Sequence, residues 1–204
     1  MLPLILSVIL ISFAGAIAPG PILAVTIAKG AKSPWAGFQI ALGHIFIDIS
    51  IILLIYFGLG QFLQVSSVQI VLNILGGILI IWLGINLFRS RASIVHGKKD
   101  LRYNAFLLGI LTTVFNPMFL PWWATIGSMF IMKFSEFGIT GLVAFIFAAE
   151  LPNLIWYPFA SIVTYKTSST TRGQKIKEPL LIICSILLIG FGIWFVVSGV
   201  QAII

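Results

Sequence analysis

Residues 2–28 read LPLILSVILISFAGAIAPGPILAVTIA, an uncharged apolar run with Ala18-Pro19-Gly20-Pro21 set inside it. A helix needs about 20 apolar residues to cross the hydrocarbon core of a bilayer, so this run is long enough to span. Proline has no amide hydrogen and clashes with the preceding turn, which predicts that the helix opens partway across, not far from the bilayer centre. Opened backbone survives at that depth only where protein buries it or where it lines a wet cavity, because peptide groups left unpaired against lipid cost several kcal/mol apiece. The stretch therefore points to a membrane fold with an internal cavity, against the plainer reading of a kink packed between neighbouring helices.

Working outward, five further apolar stretches lie at 36–60, 68–88, 105–132, 138–164 and 179–204. Of 204 residues, 60% are hydrophobic and 8% charged, too little charge for a surface facing water. Six crossings consume most of the chain and leave no room for a soluble domain, so 1–204 reads as one all-α transmembrane domain. Small-residue sites such as Ala14-Gly15-Ala16 resemble signal cleavage sites, but no basic residue precedes the first run, which argues for a retained helix.

Charge in the connections sets the expected orientation, because Lys and Arg are held on the cytoplasmic side during insertion. Lys29 and Lys32 fall in the first connection, Arg89, Arg91, Lys98, Lys99 and Arg102 in the third, and Lys166, Arg172, Lys175 and Lys177 in the fifth. These share one face and hold eleven of the twelve basic residues, leaving Lys133 for the other. The expectation is a multi-pass protein of the cytoplasmic membrane with both termini outside and a cytoplasmic loop at 89–104. Trp35, Tyr103 and Tyr165 flank the basic connections, where amphipathic rings anchor at the headgroups, and His96 reads as a solvated loop residue.

The halves repeat. Gly77, Gly84 and Asn86 in the third span recur at the same spacing as Gly192, Gly199 and Gln201 in the sixth. The first span is broken at Pro19-Gly20-Pro21 and the fourth at Asn116-Pro117, with Pro121 following. Three crossings per half make the second half enter from the opposite side, giving an inverted 3+3 repeat with residues 1–90 as one unit and 103–204 as the other, a common transporter construction. The half-helices after each break, from Pro21 and from Met118, would aim their amino-terminal ends at the midplane, where free amides and the helix dipole suit a carboxylate. That makes Pro19, Gly20, Pro21, Asn116, Pro117 and Asn153 candidate substrate-binding residues.

Asp48 in the second span and Glu150 in the fifth are the acidic residues inside apolar runs. Each costs about 2.5 to 3.5 kcal/mol on insertion scales, more than the about 0.6 kcal/mol that a polar contact between membrane helices returns on average, so a functional role outweighs a gluing one. His44 lies four residues before Asp48 and Asn153 three after Glu150, so each pair shares a helical face. Asp48, Glu150 and His44 are thus candidates for binding an ammonium group or carrying a coupling proton. Trp122, Trp123, Trp156 and Tyr157 read as packing or interfacial aromatics.

Other classes are poorly served. Lone Cys184 allows no intrachain disulfide or redox pair. The net charge of +7 sits in connections rather than on a groove-reading surface, so no nucleic acid partner is expected. A glycine-rich phosphate loop with its Lys is absent, which disfavours ATP as the energy source and implies no cofactor. One His and one Asp four apart make an incomplete metal set. An acid–base pair at His44 and Asp48 lacks the nucleophile or cofactor site that a membrane enzyme would need, so no enzyme is expected.

Taken together, Ala18-Pro19-Gly20-Pro21, Gly43-His44 with Asp48, Asn116-Pro117 with Trp122-Trp123-Ala124-Thr125-Ile126-Gly127, and Trp156-Tyr157 resemble the LysE-type translocators over nearly the whole chain. The resemblance implies export of amino acids or related metabolites, and the wider superfamily includes exporters of metal cations. Related sequences often repeat the Gly-His and acid in the fifth span; here Ala148, Ala149 and Asn153 stand at those positions, and Glu150 one turn before Asn153 supplies a carboxylate instead. The resulting expectation is an alternating-access exporter driven by a proton or sodium ion, with export direction resting on the resemblance. A divalent cation exporter using Asp48, Glu150, His44 and Asn116 is the rival. Small residues on helix faces permit a homodimer.

Overall fold

The computed structural model describes residues 1–58, 66–95, 103–116, 118–167 and 171–202. Pro117, His96, Lys98, Lys99 and Arg102 lie outside the described residues. The described residues are helical throughout, with short turns and no strand. The first apolar run is two helices, α1 (Leu2–Ile17) and α2 (Pro21–Gly30), which meet at 63° across the Ala18-Pro19-Gly20 link. After α3 (Ala36–Tyr56) and α4 (Ser66–Val95), the fourth run is also divided. It comprises α5 (Ala105–Val114), the four-residue α6 (Phe119–Trp122), a π-helical stretch Trp123–Gly127, and α7 (Ser128–Ser135), bent by 67° at the break. α8 (Gly138–Thr167) and α9 (Thr171–Gln201) complete the chain. Among the described residues, four helices are long and apolar enough to cross a membrane, and up to six spans result when each bent pair counts as one.

The solvent is legible in the surface. Phe147 is 73% exposed, and Leu10, Phe46 and Trp194 also point outward, which suits lipid rather than water. Hydroxyls inside the helices satisfy themselves locally: Thr26, Thr113, Thr164 and Ser185 each donate to the carbonyl four residues back.

Packing depends on missing side chains where backbones approach. α4 and α9 cross at Gly77 and Gly192, where a Cβ on either would come within 2.7 Å of the other's carbonyl oxygen. α3 and α5 meet likewise, since a Cβ on Gly43 would collide with the Phe106 carbonyl and one on Gly109 with that of Ile40. α8 remains a single helix although Pro152 and Pro158 lie inside it, each withdrawing one hydrogen bond.

Three expected boundaries move. α4 runs to Val95, beyond the expected 88, and α9 begins at Thr171 rather than 179, so Arg89, Arg91, Arg172, Lys175 and Lys177 stand on helices and not in loops. Hydropathy marks where lipid ends, whereas a helix keeps its own hydrogen bonds past that point, and Lys and Arg are good helix formers. Lys29, expected in an exposed connection, is instead in the last turn of α2 and buried. The reason is close docking on α8: Gly30 abuts Ser161, whose hydroxyl donates to the Ser33 carbonyl at 3.0 Å.

Candidate functional site

Both breaks open onto one cavity of about 320 Å³. Its wall includes Pro19, Gly20, Pro21 and Asn116 from the breaks, with His44 and Asp48 from α3 and Asn153 from α8. The expected binding residues other than Glu150 and the undescribed Pro117 thus line a single space. Glu150 does not line the cavity but is buried beside it, its Oε2 accepting from Asn153 Nδ2 at 3.1 Å.

The polar cluster follows from helical spacing and one contact across helices. His44 Nε2 lies 3.3 Å from Asp48 Oδ2, one turn along α3. His44 Nδ1 lies 2.9 Å from Thr113 Oγ1 on α5. That hydroxyl also lies 2.7 Å from the Gly109 carbonyl, and its contact with Nδ1 holds the ring so that Nε2 points toward Asp48. The Tyr157 ring meets His44 edge-on at 6.2 Å. Asp48 Oδ1 and Glu150 Oε1 are buried without a hydrogen-bond partner among the described residues. Leaving such a lone pair unmet costs about 1 to 3 kcal/mol, and more when the group is charged, so both oxygens are poised for a donor or a cation. A His44 nitrogen and one oxygen each from Asp48 and Glu150 lie within 4.8 Å of one another, close enough to surround one ion or one ammonium group.

The two breaks differ in which groups take the amides they release. α2 starts at Gly20 in extended backbone with no side-chain cap, and Gly20, Pro21 and Ile22 line the cavity; Pro21 has no amide hydrogen, so Gly20 and Ile22 carry the donors there. At the second break Asn116 Oδ1 accepts from Met118 N at 3.2 Å, and the helix beyond lasts four residues before the π-helical stretch. Asn116 takes two amides at this break, Met118 N with its side chain and Phe119 N with its backbone carbonyl at 2.8 Å, and Pro121 has no amide hydrogen, so the short helix offers little to an anion. Asn116, whose Nδ2 remains a donor, also lines the cavity.

Several lining residues went unmarked in the sequence. Tyr157, taken as a packing aromatic, lines the cavity; it follows Asn153 by four and Glu150 by seven, so helical spacing carried the signal. Trp122 and Trp123 also line it, the second held where Ser128 Oγ donates to the Trp123 carbonyl across the π turn. Thr113 had no sequence signal beyond its place before the break.

A bundle of lipid-facing helices, two broken at depth around a cavity with buried carboxylates, defines a membrane transporter. The family described as LysE type translocator matches residues 13–199, and the chain belongs to it. It is similar to a protein of Bacillus subtilis (strain 168) named "Putative amino acid efflux protein YcgF", at 28% identity over 194 residues and 91% of either chain. No solved structure matches.

Proposed function

We propose that the chain is a secondary-active exporter of amino acids or related small metabolites across the cytoplasmic membrane, working as a proton-coupled antiporter. The observation that carries this is complementarity to a zwitterion: uncapped α2 amides and unpartnered buried carboxylate oxygens border the same cavity. The substrate carboxylate rests at Gly20-Pro21, and Asp48 with Glu150 takes its ammonium or the exchanged proton in alternation. Family membership and the printed name of the Bacillus relative support the amino-acid reading.

The inverted repeat, residues 1–90 against 103–204, is supported by reciprocal packing. Around the Gly77–Gly192 crossing, Gly84 abuts Ser185, Leu188 and Ile189, while Gly199 abuts Ile70, Asn73 and Ile74, as a two-fold axis through the crossing requires. α1 packs on α8 as α5 packs on α3, the partners the repeat would exchange. Rocking of one unit against the other would alternate access, with both termini outside and the basic connections cytoplasmic.

Purified protein in liposomes loaded with candidate amino acids and given an inward proton gradient should show gradient-dependent efflux. Unchanged efflux in Asp48→Asn and Glu150→Gln would remove the assigned roles. Sodium replaces the proton if a sodium gradient alone drives flux. A second reading, export of a divalent cation, is favoured by the three converging ligand atoms of His44, Asp48 and Glu150. Tight metal binding that is lost in Asp48→Asn, without amino-acid flux, would select it.

A further inference from the structure

The cavity has two unlike walls. α3 and α8 contribute His44, Asp48, Asn153 and Tyr157, whereas α4 and α9 contribute Ile80, Phe191 and Phe195. Among the described residues the α4 and α9 wall carries no polar side chain, and no Lys or Arg lines the cavity at all. Ile80 is fully buried and Phe195 5% exposed, so their faces are fixed by packing as well as by the cavity. The acids are not spread out: Asp48 and Glu150 place oxygens within 4.8 Å of each other and form a single locus for a cation.

From this we infer that the cargo is a zwitterion with a bulky, apolar side chain, of the kind leucine or phenylalanine carries, lodged against Ile80 and Phe195; this rests on the amino-acid export reading above. A basic side chain would bring a second ammonium to a wall with no acceptor, because both carboxylates are engaged at the first. An acidic side chain would find no cation and would face Asp48. A small side chain would leave the apolar wall unfilled, which forfeits contact without gaining hydration, since an apolar void stays dry. The cavity's volume is at the small end of ligand pockets, about 300 to 1,000 Å³, which suits one amino acid rather than a peptide.

The test uses the same proteoliposomes, loaded in turn with leucine, phenylalanine, alanine, lysine or glutamate under one inward proton gradient. Leucine and phenylalanine efflux should exceed that of lysine and glutamate at least about tenfold, as fit to an apolar pocket ordinarily gives. In Phe195→Ala the leucine-to-alanine ratio should fall about tenfold, and Phe195→Leu should restore part of it. Ile80→Asp should raise lysine relative to leucine, which keeps the inference testable if Phe195→Ala elutes as an aggregate. Lysine or glutamate carried as fast as leucine, or ratios untouched by these variants, would overturn the side-chain assignment while leaving amino-acid export standing. Efflux of none of the five, with divalent cations carried instead, would overturn the export reading and this inference with it.

Discussion

At the first break the chain passes through Ala18, Pro19 and Gly20 on backbone alone, and α2 begins with nothing over its amides; at the second, Asn116 folds its own carbonyl oxygen onto Met118 N. The sequences look equivalent, because each has proline inside an apolar run. What differs is who satisfies the donors that the break releases. A glycine at the N-cap leaves them for a ligand, whereas an asparagine consumes one and presents a fresh donor of its own. The following helix amplifies the contrast. α2 is a regular ten-residue helix with a dipole to present, while α6 gives way after four residues to a π-helical stretch. Under the proposed function, the first break would receive the cargo's carboxylate and Asn116 at the second would orient the cargo.

The sharpest way to break this asymmetry is Gly20→Asp. Gly20 sits in extended backbone that any residue adopts, and a Cβ there would meet only the Ala18 carbonyl oxygen at 3.8 Å, so the side chain fits. Its carboxylate would cap α2 and occupy the amides meant for cargo. Amino-acid efflux should fall roughly 100-fold through like-charge opposition, with unaltered thermal stability. Gly20→Ala, which adds bulk without an acceptor, should lose far less; equal losses in both variants would mean that space rather than charge matters at this position.

Asn116 tests the other half. Asn116→Asp retains an oxygen for Met118 N and loses the Nδ2 donor, so stability should hold while efflux drops about tenfold. Asn116→Ala loses the bond to Met118 N as well, and thermal unfolding should report about 1 kcal/mol of destabilisation. Wild-type efflux in Asn116→Asp would show that the second break contributes structure alone.

The same contrast explains how far the sequence could be read. Proline inside long apolar runs gave both breaks, and spacings of four and three residues put His44 with Asp48 and Glu150 with Asn153 before any geometry was known. Tyr157 was within reach of the same periodicity. Ile80, Phe191 and Phe195 were not, because lipid and a protein cavity accept the same apolar residues and nothing in the pattern separates them. Helix ends were misread for a related reason: the basic residues at Arg89, Arg91, Lys175 and Lys177 mark the edge of lipid, and the helices run through it. The different fates of the two breaks depend on a side-chain hydrogen bond, and the presence of Asn116 beside Pro117 was the visible hint.

Thr113, one turn before the second break, gives α5 a positioning role. Its hydroxyl is the partner that orients His44 toward Asp48. Thr113→Val keeps the shape and removes the hydroxyl, so efflux should fall about threefold to tenfold, and Thr113→Ser should recover it. Efflux of Thr113→Val equal to wild type would detach His44 from the transport step.

The smallest effect belongs to the π-helical stretch. An α-helix would satisfy the Trp123 carbonyl with the amide four residues on; here the Ser128 amide, five residues on, donates to it and Ser128 Oγ adds a second bond at 2.6 Å, and Trp123 packs against Trp122 at a centroid distance of 4.8 Å while lining the cavity. Ser128→Ala removes that second bond from a part-buried site and should cost about 1 kcal/mol in thermal unfolding. If the wider turn exists to aim Trp123 at the cargo, the KM for leucine should also rise about twofold to fourfold with little change in maximal rate, since looser contact weakens binding before and after the switch alike. A stability loss with unmoved KM would leave the π-helical stretch as the structural answer to a short half-helix, and would place the whole of substrate recognition on the first break and the polar cluster.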